Sequence, residues 1–122
     1  DLLRLIKRIN FLVVTTSSQI AFETVKKLVL LLGELKVPIL GVVENMKMSN
    51  SDRIQRRSIE LGTRFLGEIP YDPKLEEVIG DVDALLKTDF AKAVGLIKSN
   101  MFLGNVKINK SQYDPCKGFI NP

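Results

Sequence analysis

The 122 residues, 45% of them hydrophobic and 26% charged, have the balance of one folded domain and exclude a disordered or fibrous chain. Lys and Arg outnumber Asp and Glu by 18 to 14, but the basic residues are scattered (Lys26 and Lys27, Arg53, Arg56 and Arg57, Lys107, Lys110), as on a solvated surface rather than a nucleic-acid-binding face. The absence of histidine removes imidazole acid–base catalysis and the commonest zinc ligand, and a lone Cys116 excludes an internal disulfide and fits a reducing, cytoplasmic setting.

The chain opens on Asp1 rather than Met, and its first ten residues, DLLRLIKRIN, read as cut from a longer sequence with no signal peptide. Phe11-Leu-Val-Val14 followed by Thr15 and Thr16 is a short β-branched run of the kind that fills a parallel sheet. Thr16 and Gln19 have capping-box spacing, and Ala21, Val25, Leu28, Leu32 and Leu35 fall on one face of the ensuing helix. Its longest apolar run, residues 28–32, is too short to span a bilayer, so no membrane is expected. Val37-Pro38 ends that helix, and Ile39-Leu-Gly-Val-Val43 is a second buried strand with Pro38 at its start. Residues 52–61 form a second amphipathic helix, closed by Gly62 where a left-handed residue is wanted.

A third, more polar strand covers residues 64–69 and is closed by Pro70. Asp72 and Pro73 signal a helix start and Gly80 its end. A last helix is expected from about Asp89 to about Ser99, with Phe90, Val94, Ile97 and Met101 on its stripe. The remaining C-terminal residues are rich in Asn, Gly, Lys and Pro, so the organisation reads as a domain over residues 1–99 and an irregular tail over 100–122, with one short strand near Val106 and Ile108. Strands separated by helices, without hairpin signals, require crossover connections. The fold class is therefore α/β: a partial doubly wound parallel sheet of about three strands with flanking helices.

Ligands of such sheets gather beyond the carboxyl ends of the strands. Three exits there carry polar chemistry: Thr15-Thr16-Ser17, Glu44-Asn45-Met46 and Pro70-Tyr71-Asp72-Pro73. A carboxamide such as that of Asn45 donates and accepts at once, matching the N6 and N7 edge of adenine, but an Asn there can equally cap the following turn. Both readings stand on the residues alone.

The string FLVVTTSSQIAFETVKKLVLLLGELKVPILGVVENMKM, with LGEIPYDPKLEEVIG after it, resembles the C-terminal half of the MinD/Mrp/ParA family of P-loop ATPases, closest to the Mrp-like (ApbC-like) branch. The resemblance runs from Leu2 to Ser99. It implies ATP as cofactor, with Mg2+ held through an N-terminal half outside the matched region, and it carries base recognition onto Asn45 and Met46, with Pro70, Tyr71 and Asp72 along the base. It also implies a partner, either a second copy or that N-terminal half. The GTPase alternative is disfavoured, because Asn45-Met46-Lys47-Met48 lacks the carboxylate that an Asn-Lys-x-Asp segment presents to guanine.

Two departures bear on function. A Walker A loop needs G-x-x-x-x-G-K-[ST]; the nearest string, running from Gly104 to Lys110 and Ser111, has Asn109 at the second glycine and Pro115 soon after, and reads as polar tail. The Mrp-like branch also carries a Cys-x-x-Cys pair soon after its ENM segment, whereas Lys47-Met-Ser-Asn-Ser51 has no cysteine, which argues against an iron–sulfur cluster held there. The expected function is the ATP-binding portion of an Mrp-like ATPase, related to iron–sulfur carriers and not catalytic alone; the alternatives are a non-enzymatic scaffold on the same half-fold and, behind it, a small nucleic-acid-binding protein.

Overall fold

The computed structural model describes residues 9–107. In chain order these form β1 (Phe11–Thr15), α1 (Gln19–Glu34), β2 (Ile39–Lys47), α2 (Arg53–Glu60), β3 (Phe65–Pro70), α3 (Leu75–Val78), α4 (Val82–Leu86) and α5 (Asp89–Lys107). The strands make one parallel sheet in the order β1-β2-β3. Adjacent β2 residues face opposite ways, and each face has its own core. Val42 joins Val13 and Ile39 against Val25, Val29 and Leu32 of α1, while Val43 joins Leu66 and Ile69 against Ala93 and Ile97 of α5. Helices thus cover both faces, as the doubly wound α/β class requires. Among the described residues, no helix is long and apolar enough to cross a membrane.

Helix α1 starts later than its capping-box spacing suggests. The cap is Ser18, whose hydroxyl accepts from the Ala21 amide at 3.4 Å, while the Thr16 hydroxyl accepts from the Ser18 amide at 3.3 Å. Because β1 runs through Thr15, residues 16–18 are consumed in turning the chain. The buried stripe is correspondingly Phe22, Val25, Val29 and Leu32, with Leu28 and Leu35 left outside. Helix α2 docks beside α1 through Arg57, whose guanidinium lies 4.4 Å from the Phe22 ring centre and donates to Glu23 Oε1 at 2.8 Å. That hydrogen bond holds the Glu23 carboxyl below its usual range, helped by Lys26 and Lys27.

Four further expectations are corrected. The second strand does not stop at Val43 but continues to Lys47, because β1 and β3 pair along it: Thr15 lies opposite Glu44, and Lys47 opposite Pro70. The segment after Gly80 holds a helix that was not expected, α4, capped by Asp81 Oδ1 accepting from the Ala84 amide at 3.1 Å. Helix α5 runs past Ser99 to Lys107, so the expected tail begins as helix and Val106 is not in a strand. The reason is an anchor: the Asn100 carboxamide donates to the Leu66 carbonyl at 2.7 Å, and Arg64 donates to the Asn100 carbonyl at 3.1 Å. The stripe that α5 buries contains Ala93 and not Val94, which is exposed. The rest of the expected tail, Cys116 included, lies outside the described residues.

The sheet carries register shifts in which one strand uses an extra residue. Phe11 pairs with Ile39 but Leu12 with Gly41, and Val42 pairs with Phe65 but Val43 with Gly67. Gly41 has φ +154°, and a Cβ built there would stand 2.6 Å from Leu66 Cγ and 2.9 Å from the Arg64 carbonyl oxygen. That oxygen already accepts the Val42 amide at 2.8 Å, so it cannot retreat without loss of a ladder bond. Gly41→Ala should destabilise the domain by about 2–4 kcal/mol, combining backbone strain with overpacking. Urea unfolding checks this, and a loss below about 1 kcal/mol would show that the β2–β3 seam can give.

Candidate functional site

The register brings Thr15, Glu44 and Glu68 into one row across the three strands, just before their carboxyl ends. Glu44 is only 2% exposed, an unusual position for a carboxylate, and burial of a charge is costly unless it is paired. The β1–α1 turn supplies one partner: Ser17 donates its hydroxyl to Glu44 Oε2 at 2.6 Å. The strand itself supplies another, because Lys47 Nζ lies 3.8 Å from Glu44 Oε1 and also donates to Glu68 Oε2 on β3. Oε1 nevertheless has no hydrogen-bond partner among the described residues. Ser17, Glu44, Lys47 and Glu68 thereby tie together all three strand ends.

Between Glu44 and Lys47 the pairing slips again. Glu44 faces Glu68 and Lys47 faces Pro70, so β2 spends three steps where β3 spends two, and the slack is taken up at Asn45 and Met46. Met46 absorbs it with φ 54°, a left-handed conformation that costs a non-glycine residue about 1–3 kcal/mol. Asn45 is half-buried and Met46 is 48% exposed. Pairing then resumes beyond the shift, where the Tyr71 amide donates to the Lys47 carbonyl at 2.9 Å.

Four of the five expected base-binding residues are therefore neighbours on two adjacent strand ends: Asn45 and Met46 on β2, Pro70 at the end of β3 and Tyr71 directly after it, its side chain 51% exposed. The fifth, Asp72, follows in the same loop, but its carboxylate accepts the Lys74 amide at 2.9 Å and so serves the local turn. The Asn45 carboxamide stands outside the hydrogen bonds that join Ser17, Glu44, Lys47 and Glu68. Beside this row, between the β1–α1 turn and the β2–α2 loop, lies a cleft of about 280 Å3 lined by Ser17, Glu44, Ser49, Ser51, Arg53 and Ile54. Arg53 closes one wall by donating to the Ser17 carbonyl.

Sequence reasoning placed Glu44 at an exit but gave it no role, and it missed Lys47 and Glu68 entirely. A charge inside the apolar run Gly41-Val-Val-Glu44 was the available signal for the first. Nothing local pointed to the others, whose meeting depends on strand register.

Comparison with known proteins agrees with the fold and the resemblance. The ParA model describing the NUBPL iron-transfer P-loop NTPase matches residues 1–101. An iron-sulfur cluster carrier protein of Aquifex aeolicus is 32% identical over a match covering 53% of this chain and 21% of that protein. One of Methanocaldococcus jannaschii is 31% identical, covering 54% of this chain and 27% of its own length. The chain thus spans roughly a fifth to a quarter of the curated relatives it matches. With its parallel three-stranded sheet, helices on both faces and a match across most of its length, the chain belongs to the ParA/NUBPL family of iron-transfer P-loop NTPases.

Proposed function

We propose that this chain is the base-recognising portion of an ATP-binding P-loop NTPase of the iron–sulfur carrier type, with Asn45 as the adenine-reading group. The observation that carries the reading is the register slip between Glu44 and Lys47, which sets Asn45 and Met46 beside Pro70 and Tyr71 on one stretch of the sheet edge. A half-buried carboxamide there can accept from adenine N6 and donate to N7. The Met46, Pro70 and Tyr71 side chains offer flat or adaptable apolar surface to the base. Asp72 completes the set, its Oδ1 also holding the loop through the Lys74 amide.

The residues present fit a nucleobase and not a triphosphate. The 122 residues contain no G-x-x-x-x-G-K-[ST] string, and residues 104–107 of the nearest approximation are helical. In this reading the phosphate and Mg2+ contacts come from the N-terminal half of the domain. That half, or a second copy of this chain, would also cover the side of β1 opposite α1, where Leu12 and Val14 are 41% and 53% exposed. An iron–sulfur cluster is cargo in this scheme. The cysteine-free stretch from Lys47 to Ser51 supplies no ligands for it, so carriage would use groups elsewhere in the assembled protein. A cytoplasmic setting fits this role.

In a protein that also carries the N-terminal half of the domain, Asn45→Ala should weaken ATP binding by about 1–3 kcal/mol while leaving affinity for inorganic tripolyphosphate unchanged. Calorimetric titration checks it, and an unaltered ATP affinity would remove Asn45 from the site. The 122 residues alone should release no phosphate from ATP and Mg2+ above a matched blank, because phosphoryl transfer depends on P-loop and metal contacts. Turnover that disappears in Asn45→Ala would overturn that expectation.

A further inference from the structure

We propose that Lys47 is a positioning residue for the base-reading segment: its ammonium group, clamped between Glu44 and Glu68, holds the strained Asn45–Met46 bulge in the conformation that presents the Asn45 carboxamide. The inference rests on the reading of Asn45 as the base contact. It assigns a role to a residue that touches no base.

The geometry supplies three reasons. First, Glu44 and Glu68 are direct cross-strand partners, and like charges so placed repel unless a cation lies between them. Lys47 is that cation. Its side chain is only 11% exposed, so solvent and salt screen the arrangement little, and its Nζ reaches Glu68 Oε2 while standing 3.8 Å from Glu44 Oε1.

Second, the same residue is fixed through its backbone. The Lys47 carbonyl accepts the Tyr71 amide at 2.9 Å. The chain is therefore tied to the β3 side at both flanks of the slip, at Glu44 by strand pairing and at Lys47 by both side chain and main chain. Asn45 and Met46 span the interval between these fixed points.

Third, a left-handed Met46 (φ 54°) persists only where its surroundings over-determine it. Met46 is itself half exposed, so packing of its own side chain does not hold it. The ties at Glu44 and Lys47 do. Without the ammonium group, the carboxylate row repels, and the backbone can relax Met46 toward an ordinary extended conformation, rotating Asn45 relative to Pro70 and Tyr71.

The test compares ligands that share phosphates but differ in the base, using a protein that also carries the N-terminal half of the domain and confirming the unfolding midpoint of each variant. Lys47→Met should weaken ATP about tenfold, the scale on which supporting contacts act on the groups they orient, and narrow the preference for ATP over GTP. Tripolyphosphate affinity should stay within about twofold of wild type, because that ligand does not use the bulge. Lys47→Arg, which keeps the charge, should retain most of the ATP affinity. Should Lys47→Met fold poorly, Glu68→Gln removes one jaw of the clamp at a half-exposed position and should give the same base-selective loss at smaller size. Equal losses for ATP and tripolyphosphate would overturn the proposal. So would unchanged ATP binding in both Lys47→Met and Glu68→Gln alongside a clear loss in Asn45→Ala. Unchanged binding in Asn45→Ala itself would instead remove the base-reading role, and the positioning role with it.

Discussion

The arrangement of the strand ends depends on one buried carboxylate. Glu44 sits in the central strand at 2% exposure, where an ionised group is tolerated only if the structure around it supplies compensation. That compensation comes from a turn hydroxyl after β1 and an ammonium group at the end of its own strand, which in turn engages β3. Apolar residues in place of the Glu44–Lys47 pair as a whole could pack the sheet about as stably, whereas removing one partner would strand the other. What the carboxylate adds is alignment: it makes the relative placement of three loops a matter of hydrogen-bond geometry instead of apolar contact, which is non-directional.

The glycines of the central seam belong to the same economy of space. Gly41 lets Leu66 and the Arg64 carbonyl approach the β2 backbone, and Gly67 admits Ile97, whose Cγ1 would lie 2.8 Å from a Cβ there. Each accompanies a register shift, so the two sheet faces are not simple alternations. Ile39 and Val42 share the α1 core although an unbroken pleat would set them on opposite faces. The shift, by turning the strand, delivers Val43 to the α5 core and leaves Glu44 in the row of strand ends.

The parts of the fold legible in the sequence were those with strong local signals. Phe11-Leu-Val-Val14 and Ile39 to Val43 are β-branched and apolar, and both are strands. The polar extension of β2 through Glu44, Asn45 and Lys47 was hidden because these residue types are depleted in strands, and only register carries the strand on, Glu44 pairing with both neighbours and Lys47 with β3. The full length of helix α5 was hidden too, because Asn100, Gly104 and Asn105 are poor helix formers; the Asn100 side chain, bonded to Leu66, outweighs its propensity. At the candidate site, Asn45, Met46, Pro70, Tyr71 and Asp72 lie at strand exits that the sequence marks as polar, and the resemblance alone gave them an expected role. Lys47 and Glu68 could not be named, since 21 residues separate them and only the register brings them together.

Strand β2 is shared by two cores that otherwise have no strand in common: one built with β1 and α1, the other with β3 and α5. Such a molecule can open in two independent units, with α5 able to lift away while the α1 side stays packed, or the reverse. Amide exchange would then reveal two levels of protection meeting at a single strand. The Asn45–Met46 bulge lies at the carboxyl end of that strand, on the boundary that the two units share.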